Sequence, residues 1–169
     1  MRVYVGVDNG SSGSIGIITE DGKIRFGTIP NKKEQSYTKK KQNITRVDVK
    51  KLQALLQEQG IWYDDDHKTN RVFVLIERPM INSVRFKASI SAARALEAVL
   101  NVVELLGFSY QYIDSKEWQK ALLPAGTEGT DELKKASLQI GTRLFPQIES
   151  KHKDRDGILI AEYARRRGL

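Results

Sequence analysis

An unbroken apolar run at Val72–Ile76 limits the possible folds of this chain more than any other feature of the sequence. Five consecutive apolar residues are typical of a strand that is buried on both faces, as in a sheet with helices on each side. The run ends at Glu77, and Pro79 stops the strand because proline lacks the N–H group that sheet pairing needs. The sequence therefore predicts a layered α/β domain with a carboxylate at the end of a central strand.

The remaining elements follow from turn residues and from the spacing of apolar side chains. The predicted strands are 3–7, 15–18, 24–29, 72–76 and 109–113, and the predicted helices are 46–59, 88–106, a short one containing Trp118, 131–144 and 155–167. Short connections make the first three strands an antiparallel meander, whereas helical connections make the later strands parallel. We expect an α/β fold with a mixed five-stranded sheet, helices on both faces, and one domain spanning residues 1–169.

The chain is basic, with 28 Lys and Arg residues against 21 Asp and Glu residues and a net charge of +7. A surplus of this size favours a polyanionic partner, because each phosphate contact releases counterions. The stretch 30–43 is polar and is predicted to be an exposed loop. Its lysines are candidate nucleic-acid contacts: Lys32, Lys33, Lys39, Lys40 and Lys41.

Several classes of protein are disfavoured by what the sequence lacks. There is no cysteine, which excludes disulfides and thiolate metal sites. No apolar run reaches the length of about 18 residues that a transmembrane helix needs. The first residues lead directly into a strand pattern and do not resemble a signal peptide. We therefore expect a cytoplasmic protein without membrane contact.

Four acidic residues occupy positions that the predicted topology brings together. Asp8 ends the first strand, Glu77 ends the central strand, and Asp154 and Asp156 stand at the start of the last helix. Converging carboxylates repel one another unless a cation neutralises them. Oxygen ligands suit Mg²⁺, with Mn²⁺ as a substitute, and two such ions can hydrolyse a phosphodiester.

Each acid also has a structural explanation. Asp8 before Asn9-Gly10 can be a turn former, and Glu77 can pair with Arg78. Asp154 can be a helix N-cap, and Asp156 can compensate the helix dipole. The joint arrangement of the four acids, in this strand order, favours the metal site.

Three motifs resemble those of the RuvC Holliday-junction resolvases, in order and over nearly the whole chain. Val5-Gly6-Val7-Asp8-Asn9-Gly10-Ser11 is similar to the opening Gly-Ile-Asp-Pro-Gly-Ser strand of the family. Leu75-Ile76-Glu77-Arg78-Pro79 is similar to its second acidic motif. Asp156-Gly157-Ile158-Leu159-Ile160-Ala161 resembles the helix that supplies its last acid.

The resemblance implies an RNase H-like fold, a homodimer, Mg²⁺ and paired nicks across a four-way DNA junction. Asp8, Glu77 and Asp156 are then metal ligands. The family usually has Asp or His three residues before its final Asp, where this chain has Lys153. Asp154 or His152 can take over the fourth-ligand role, and we favour Asp154.

Further roles follow from the same resemblance. Lys134 or Lys135 is expected to hold the scissile phosphate, unless both lie on a solvated helix face. Arg85, Phe86 and Lys87 are expected near the junction centre, with Phe86 wedged against unstacked bases or, alternatively, in the core. Tyr37 is a candidate for base stacking. The helix 88–106 is a candidate dimer surface, with burial inside the monomer as the alternative.

The preferred prediction is a Mg²⁺-dependent endodeoxyribonuclease that resolves four-way junctions and needs no nucleotide cofactor. One alternative is a non-catalytic module that binds branched nucleic acid on the same fold, which the Lys153 departure favours. Another is a nuclease for a different structured nucleic acid, including RNA. The segment 8–13 also resembles the first phosphate loop of actin-like phosphotransferases, but these need a second copy of the fold, and 169 residues are too few.

Overall fold

The computed structural model describes residues 1–37, 39, 41–57 and 71–169. Five strands form the main sheet: β1 (Arg2–Val7), β2 (Ser14–Thr19), β3 (Ile24–Thr28), β6 (Arg71–Glu77) and β7 (Ser109–Ile113). Their order is β3-β2-β1-β6-β7. β1–β2 and β2–β3 are antiparallel, whereas β1–β6 and β6–β7 are parallel. The predicted mixed sheet is confirmed.

Helices cover both faces of this sheet, as predicted. The helices are α1 (Val49–Gln57), α2 (Phe86–Leu105), α3 (Ser115–Leu122), α4 (Thr130–Leu144) and α5 (Asp156–Arg167), and a 3₁₀ turn at Ser83–Arg85 precedes α2. Successive strand side chains point to opposite faces. Val5 of β1 therefore packs with α1 and α2, whereas Tyr4 packs with α3, α4 and α5.

The predicted exposed loop at 30–43 was wrong in part. Asn31–Gln35 (β4) and Asn43–Val47 (β5) form an antiparallel hairpin outside the main sheet. The lysine-rich sequence lacks apolar alternation, so the hairpin depends on backbone pairing and on cross-strand charges. Glu34 on β4 accepts a hydrogen bond from Arg46 on β5 at 2.8 Å, and Val47 anchors the hairpin in the core.

The hairpin also corrects the predicted start of the first helix. Residues 46 and 47 belong to β5, and α1 begins at Val49. Asp48 caps the helix, because its side chain accepts a hydrogen bond from the Lys51 backbone N–H at 3.1 Å. The predicted last residues of this helix, 58 and 59, lie outside the described residues.

The helix α2 buries its apolar face within the chain. Ala95, Val99, Val102 and Val103 belong to the core beneath the sheet. These four side chains are therefore buried inside the monomer, as the alternative prediction for this helix stated. Among the described residues, no helix combines the length and the apolarity needed to cross a membrane.

Candidate metal centre

Close backbone contact between α5 and the sheet places the start of α5 beside the end of β1. A Cβ on Gly6 would meet α5 backbone atoms at under 3.0 Å, and one on Gly16 would lie 2.8 Å from the carbonyl carbon of Gly157. A Cβ on Gly157 would lie 2.6 Å from the carbonyl oxygen of Ser14. The Gly157 N–H also donates to Ser14 Oγ at 2.9 Å. Because glycine occupies these positions, the helix lies directly on β1 and β2. Asp156 therefore lies close to the carboxyl end of β1.

Three carboxylates converge at the carboxyl end of β1. Asp8, Asp154 and Asp156 each offer one oxygen, and these oxygens all lie within 4.8 Å of one another. Asp154 is buried, and the other two are half-buried. Opposite ligands of an octahedral Mg²⁺ ion lie about 4 Å apart. Small side-chain rotations would therefore bring this oxygen set around one hard cation.

Glu77 lies beside this cluster and is held by a hydrogen bond. The indole N–H of Trp118 donates to Glu77 Oε2 at 2.6 Å. Burial raises the pKa of Glu77 to about 7. The hydrogen bond from Trp118 lowers this pKa, whereas the negative charges of Asp156 and Asp154 raise it. Glu77 is thus within electrostatic reach of the cluster, but it is not part of the set that lies within 4.8 Å.

The cluster carries more negative charge than its surroundings compensate. Burial raises the pKa of Asp8 well above its usual range, and the carboxylates of Asp156, Glu77 and Asp154 raise it further. Burial, followed by the Asp154 charge, raises the pKa of Asp156 to about 6, although a hydrogen bond from Ser137 acts in the opposite direction. A divalent cation would remove this repulsion and keep all of these carboxylates ionised. The donor set therefore fits a divalent metal ion.

The whole chain resembles solved structures of RuvC from Thermus thermophilus. It aligns with T. thermophilus RuvC in complex with Holliday junction substrate at a TM-score of 0.59 and 16% identity, covering 99% of this chain and 97% of that chain. The chain has the RuvC fold. A second T. thermophilus RuvC structure gives a TM-score of 0.57 and 15% identity, covering 98% and 96% of the two chains. The expected RNase H-like architecture is thereby confirmed.

Comparison of sequences finds no match for this chain, whereas comparison of structures does. No protein-family model matches this sequence, and no curated protein sequence matches it. The fold is therefore shared with RuvC while the roles of individual side chains depend on the geometry of this chain.

The segment before α5 is fixed by a buried arginine that the sequence did not single out. The Arg155 guanidinium donates to the backbone carbonyls of Ser150, His152 and Asp154 at 3.0–3.1 Å, and it lies 5.1 Å from the centre of the Phe26 ring. A buried arginine with three carbonyl partners holds the backbone that carries Asp154. An Arg directly before the last acidic helix was visible in the sequence, but its inward orientation was not.

The structure also separates the two residues proposed to replace the missing ligand. Asp154 contributes an oxygen to the carboxylate cluster. The His152 ring is not in that set, and its Nδ1 lies 3.2 Å from Asp154 Oδ1. This arrangement favours Asp154 as the ligand and gives His152 a contact that orients Asp154.

Lys153, which stands where RuvC resolvases usually have Asp or His, lies close to the cluster. Its charge lowers the pKa of Asp8 and of Asp156. Lys134 is half-buried and Lys135 exposed on α4, the helix that also carries Ser137, whose hydroxyl donates to Asp156 Oδ1. Sequence reasoning named the α4 lysines and treated Lys153 only as a departure, so it missed the effect of the Lys153 charge on the pKa of these carboxyl groups.

The predicted DNA contacts are exposed but lie on different elements. Lys32 and Lys33 are on β4, where Lys32 pairs with Glu34. Lys39 and Lys41 are exposed between β4 and β5, and Lys40 lies outside the described residues. Arg85, Phe86 and Lys87 are exposed at the start of α2. Phe86 is 66% exposed, so burial in the core, the alternative for this residue, was wrong.

Proposed function

We propose that this chain is a divalent-metal-dependent endonuclease that resolves four-way DNA junctions. The proposal depends on one observation: oxygens of Asp8, Asp154 and Asp156 lie within 4.8 Å of one another. They do so at the carboxyl end of the central strand in a chain with the RuvC fold. An oxygen-only donor set suits Mg²⁺ or Mn²⁺.

In this proposal, Asp8, Asp154 and Asp156 would hold one metal ion, and Glu77 would be a ligand of a second ion. Bound divalent ions would supply a hydroxide and stabilise the leaving oxygen of the phosphodiester. Ser137 orients Asp156 through its hydrogen bond, and Trp118 orients Glu77. Lys153, whose charge lowers the pKa of Asp8 and of Asp156, is the proposed partner of a non-bridging oxygen of the scissile phosphate. Lys134 or Lys135 on α4 is a further candidate for that contact.

A four-way junction is the proposed substrate because a structure with this fold was solved with a Holliday junction, and because the chain carries a net charge of +7. The lysines of the hairpin region and Arg85, Phe86 and Lys87 are the proposed DNA contacts, mainly to phosphates. A homodimer would offer two sites to two strands of matching symmetry. Light scattering of the free protein tests the dimer.

The experiment that tests the function is a cleavage assay with end-labelled four-way junction, flap and linear duplex in Mg²⁺. Wild type should nick the junction symmetrically and leave the linear duplex intact. Asp8→Asn should lose cleavage by at least 100-fold and keep junction binding, because one ligand is removed from a site surrounded by unchanged basic residues. Asp131→Asn is a matched control, because Asp131 is exposed in the first turn of α4, and it should cut normally.

A second candidate function is a module that binds branched DNA without cutting it. Lys153 favours it, because the charge of this lysine lowers the pKa of Asp8 and of Asp156 and so offsets part of their repulsion without any metal. The same assay separates the two. Junction binding by wild type without cleavage in Mg²⁺ or Mn²⁺ would support the binding module, and equal cutting of linear duplex would support a nuclease of broader substrate range.

A further inference from the structure

The acidic segment before α5 has a spacing of carboxylates that helix geometry does not explain. Side chains three or four residues apart lie on the same face of an α-helix, whereas side chains two residues apart do not. Asp154 and Asp156 are two residues apart, and α5 begins only at Asp156. Both nevertheless place an oxygen in the carboxylate cluster. Contacts from outside the helix must therefore set the position of Asp154 relative to Asp156.

Arg155, the residue between the two acids, makes such contacts. Its side chain is buried, with 4% of the residue exposed. Its Nη1 donates to the backbone carbonyls of His152 and Asp154, both at 3.1 Å, and its Nη2 donates to the carbonyl of Ser150 at 3.0 Å. Because a guanidinium is planar and its N–H groups have fixed directions, these bonds fix the three carbonyls relative to one another.

Two other elements pack against the Arg155 side chain. On α4, Gly141 leaves room for its stem, since a Cβ there would lie 2.3 Å from Arg155 Cβ and 2.5 Å from its Cγ. On β3, the centre of the Phe26 ring lies 5.1 Å from the guanidinium carbon. The same ring meets the His152 ring edge-on, with centroids 5.8 Å apart. The arginine is therefore held by both α4 and β3.

A hydroxyl group of α4 connects these contacts to both acids. Ser137 is 1% exposed. Its Oγ accepts a hydrogen bond from the Arg155 backbone N–H at 3.1 Å and donates to Asp156 Oδ1. The Asp156 backbone N–H donates in turn to Asp154 Oδ1 at 3.4 Å. We call this set of residues the arginine clasp: Phe26, Ser137, Gly141 and Arg155.

The rigidity of the carboxylates bears on which cation they accept. Mg²⁺ requires near-ideal octahedral geometry with oxygens at about 2.0–2.1 Å, whereas Ca²⁺ accepts flexible arrangements with oxygens at about 2.3–2.6 Å. Oxygens with a fixed, close spacing therefore favour the smaller ion, and oxygens that can spread accommodate the larger one. Asp154 is 1% exposed, so its carboxylate has little room to move while the clasp is intact.

We propose that the arginine clasp sets the spacing of Asp154 and Asp156 and thereby makes the metal centre prefer Mg²⁺ to Ca²⁺. The inference rests on the proposed function and deepens it, because it assigns Arg155 and Gly141 as positioning residues of the same site. Neither residue contacts the cation. Arg155 acts through the backbone of residues 150–154, and Gly141 acts through Arg155. Contacts that orient metal ligands change metal affinity by about 10- to 100-fold when they are removed.

Metal competition measured without DNA tests the proposal. Free Mn²⁺ is followed by electron paramagnetic resonance as protein is added, and Mg²⁺ and Ca²⁺ are then added as competitors. Arg155→Lys keeps the positive charge but replaces the planar fork by one nitrogen, so it cannot hold three carbonyls at their present spacing. It should weaken Mg²⁺ binding by about 10- to 100-fold. Ca²⁺ binding, which tolerates looser geometry, should weaken by less than about threefold.

Arg143→Lys is the matched control for this variant. Arg143 is an exposed arginine in the last turn of α4, and its replacement should leave the affinities for both ions unchanged. Wild-type affinities in Arg155→Lys would overturn the proposal. So would an equal loss of Mg²⁺ and Ca²⁺ affinity, because that would show a general loss of structure instead of a change in carboxylate spacing.

Gly141→Ala disturbs the clasp without removing any polar group. The added Cβ would overlap Arg155 Cβ, which is bonded to the backbone and cannot rotate away, so residue 155 must shift. This variant should lose the preference for Mg²⁺ as Arg155→Lys does, and Thr142→Ala, at the exposed next position of α4, should keep it. Circular dichroism shows whether each variant is folded. If Arg155→Lys alone is unfolded, Gly141→Ala decides the question, and unfolding of both would overturn the proposal.

The metal titration keeps this inference apart from the proposed nuclease. A wild-type chain that binds Mg²⁺ with a preference lost in both clasp variants, yet never cuts DNA, would support the clasp and refute the nuclease. Normal junction cleavage by wild type, with an unchanged preference for Mg²⁺ in both variants, would refute the clasp alone. A wild-type chain that binds neither Mg²⁺ nor Mn²⁺ would refute both.

Discussion

Replacing Gly16 by alanine tests the close packing of α5 on the sheet, on which the geometry of the metal centre depends. An added Cβ would lie 2.5 Å from the backbone nitrogen of Ile158 and 2.8 Å from the carbonyl carbon of Gly157. Both atoms belong to the helix backbone, so no side chain can rotate away. Reaching ordinary van der Waals contact requires α5 to move outward by about 1 Å, since overpacked cores respond by backbone shifts.

This shift should affect activity more than stability. Overpacking of this kind costs about 1–3 kcal/mol of unfolding free energy, which a folded domain of ordinary stability tolerates. Asp156 moves with the helix while Asp8 stays directly after β1, so the carboxylate oxygens separate. Because a displacement of about 1 Å can reduce a catalysed rate by about 100-fold, we expect Gly16→Ala to remain folded and to cleave junctions about 100-fold more slowly.

The measurement pairs urea unfolding with single-turnover junction cleavage over a range of Mn²⁺ concentrations. Gly27→Ala is the matched control: it changes a glycine of the neighbouring strand β3 whose added Cβ meets nothing within 4 Å. It should leave cleavage unchanged. Wild-type Mn²⁺ dependence and rate in Gly16→Ala would refute the argument that glycine contacts set the position of Asp156. Global unfolding of Gly16→Ala would show that the contact governs the fold first.

Two further predictions concern the carboxylates. Without divalent metal, the free energy of unfolding should decrease as pH rises, because the pKa values of Glu77 and Asp156 in the folded chain, about 7 and about 6, exceed the ordinary values of 4.5 and 3.8. Stability from these groups is fully present below their ordinary pKa values and is lost as pH rises through the raised ones, by an amount on the order of a few kcal/mol. Urea unfolding in EDTA at a series of pH values measures this loss of stability, and added Mg²⁺ should make the loss smaller. A free energy of unfolding that does not change with pH would contradict the raised pKa values of Glu77 and Asp156. Trp118→Phe removes the hydrogen bond that lowers the pKa of Glu77, so Mn²⁺ binding should require a higher pH than in wild type; an unchanged pH dependence in a Mn²⁺ titration would place Glu77 outside the metal site.

The order and type of the main elements could be predicted from the sequence because they depend on local patterns. The apolar run before Glu77 was long enough to indicate a buried central strand, and β6 runs from Arg71 to Glu77 in the structure. The hairpin was missed for the opposite reason. Its residues are mostly polar, and their pairing depends on Val47 and on cross-strand contacts such as Glu34–Arg46.

Asp8 and Glu77 were predicted at one edge of the sheet because parallel neighbouring strands end together, and β1 and β6 do pair in parallel. Which residues complete the site was not a local property. Asp154 enters the cluster because Arg155 turns inward and holds the 150–154 backbone, and no periodicity in the sequence indicates that orientation. Sequence spacing alone could not choose between Asp154 and His152.

The sequence by itself determined the strands, the helices and the carboxylates at the ends of β1 and β6 and at the start of α5. It did so because side-chain periodicity and turn residues act over a few neighbouring positions. Only the tertiary structure decided how near those carboxylates come and that Trp118 holds Glu77. The distance from Asp156 to Asp8 depends on how closely α5 packs on β1 and β2. This packing distance is set by contacts between backbone segments far apart in the chain, where a single added methyl group would keep the helix away.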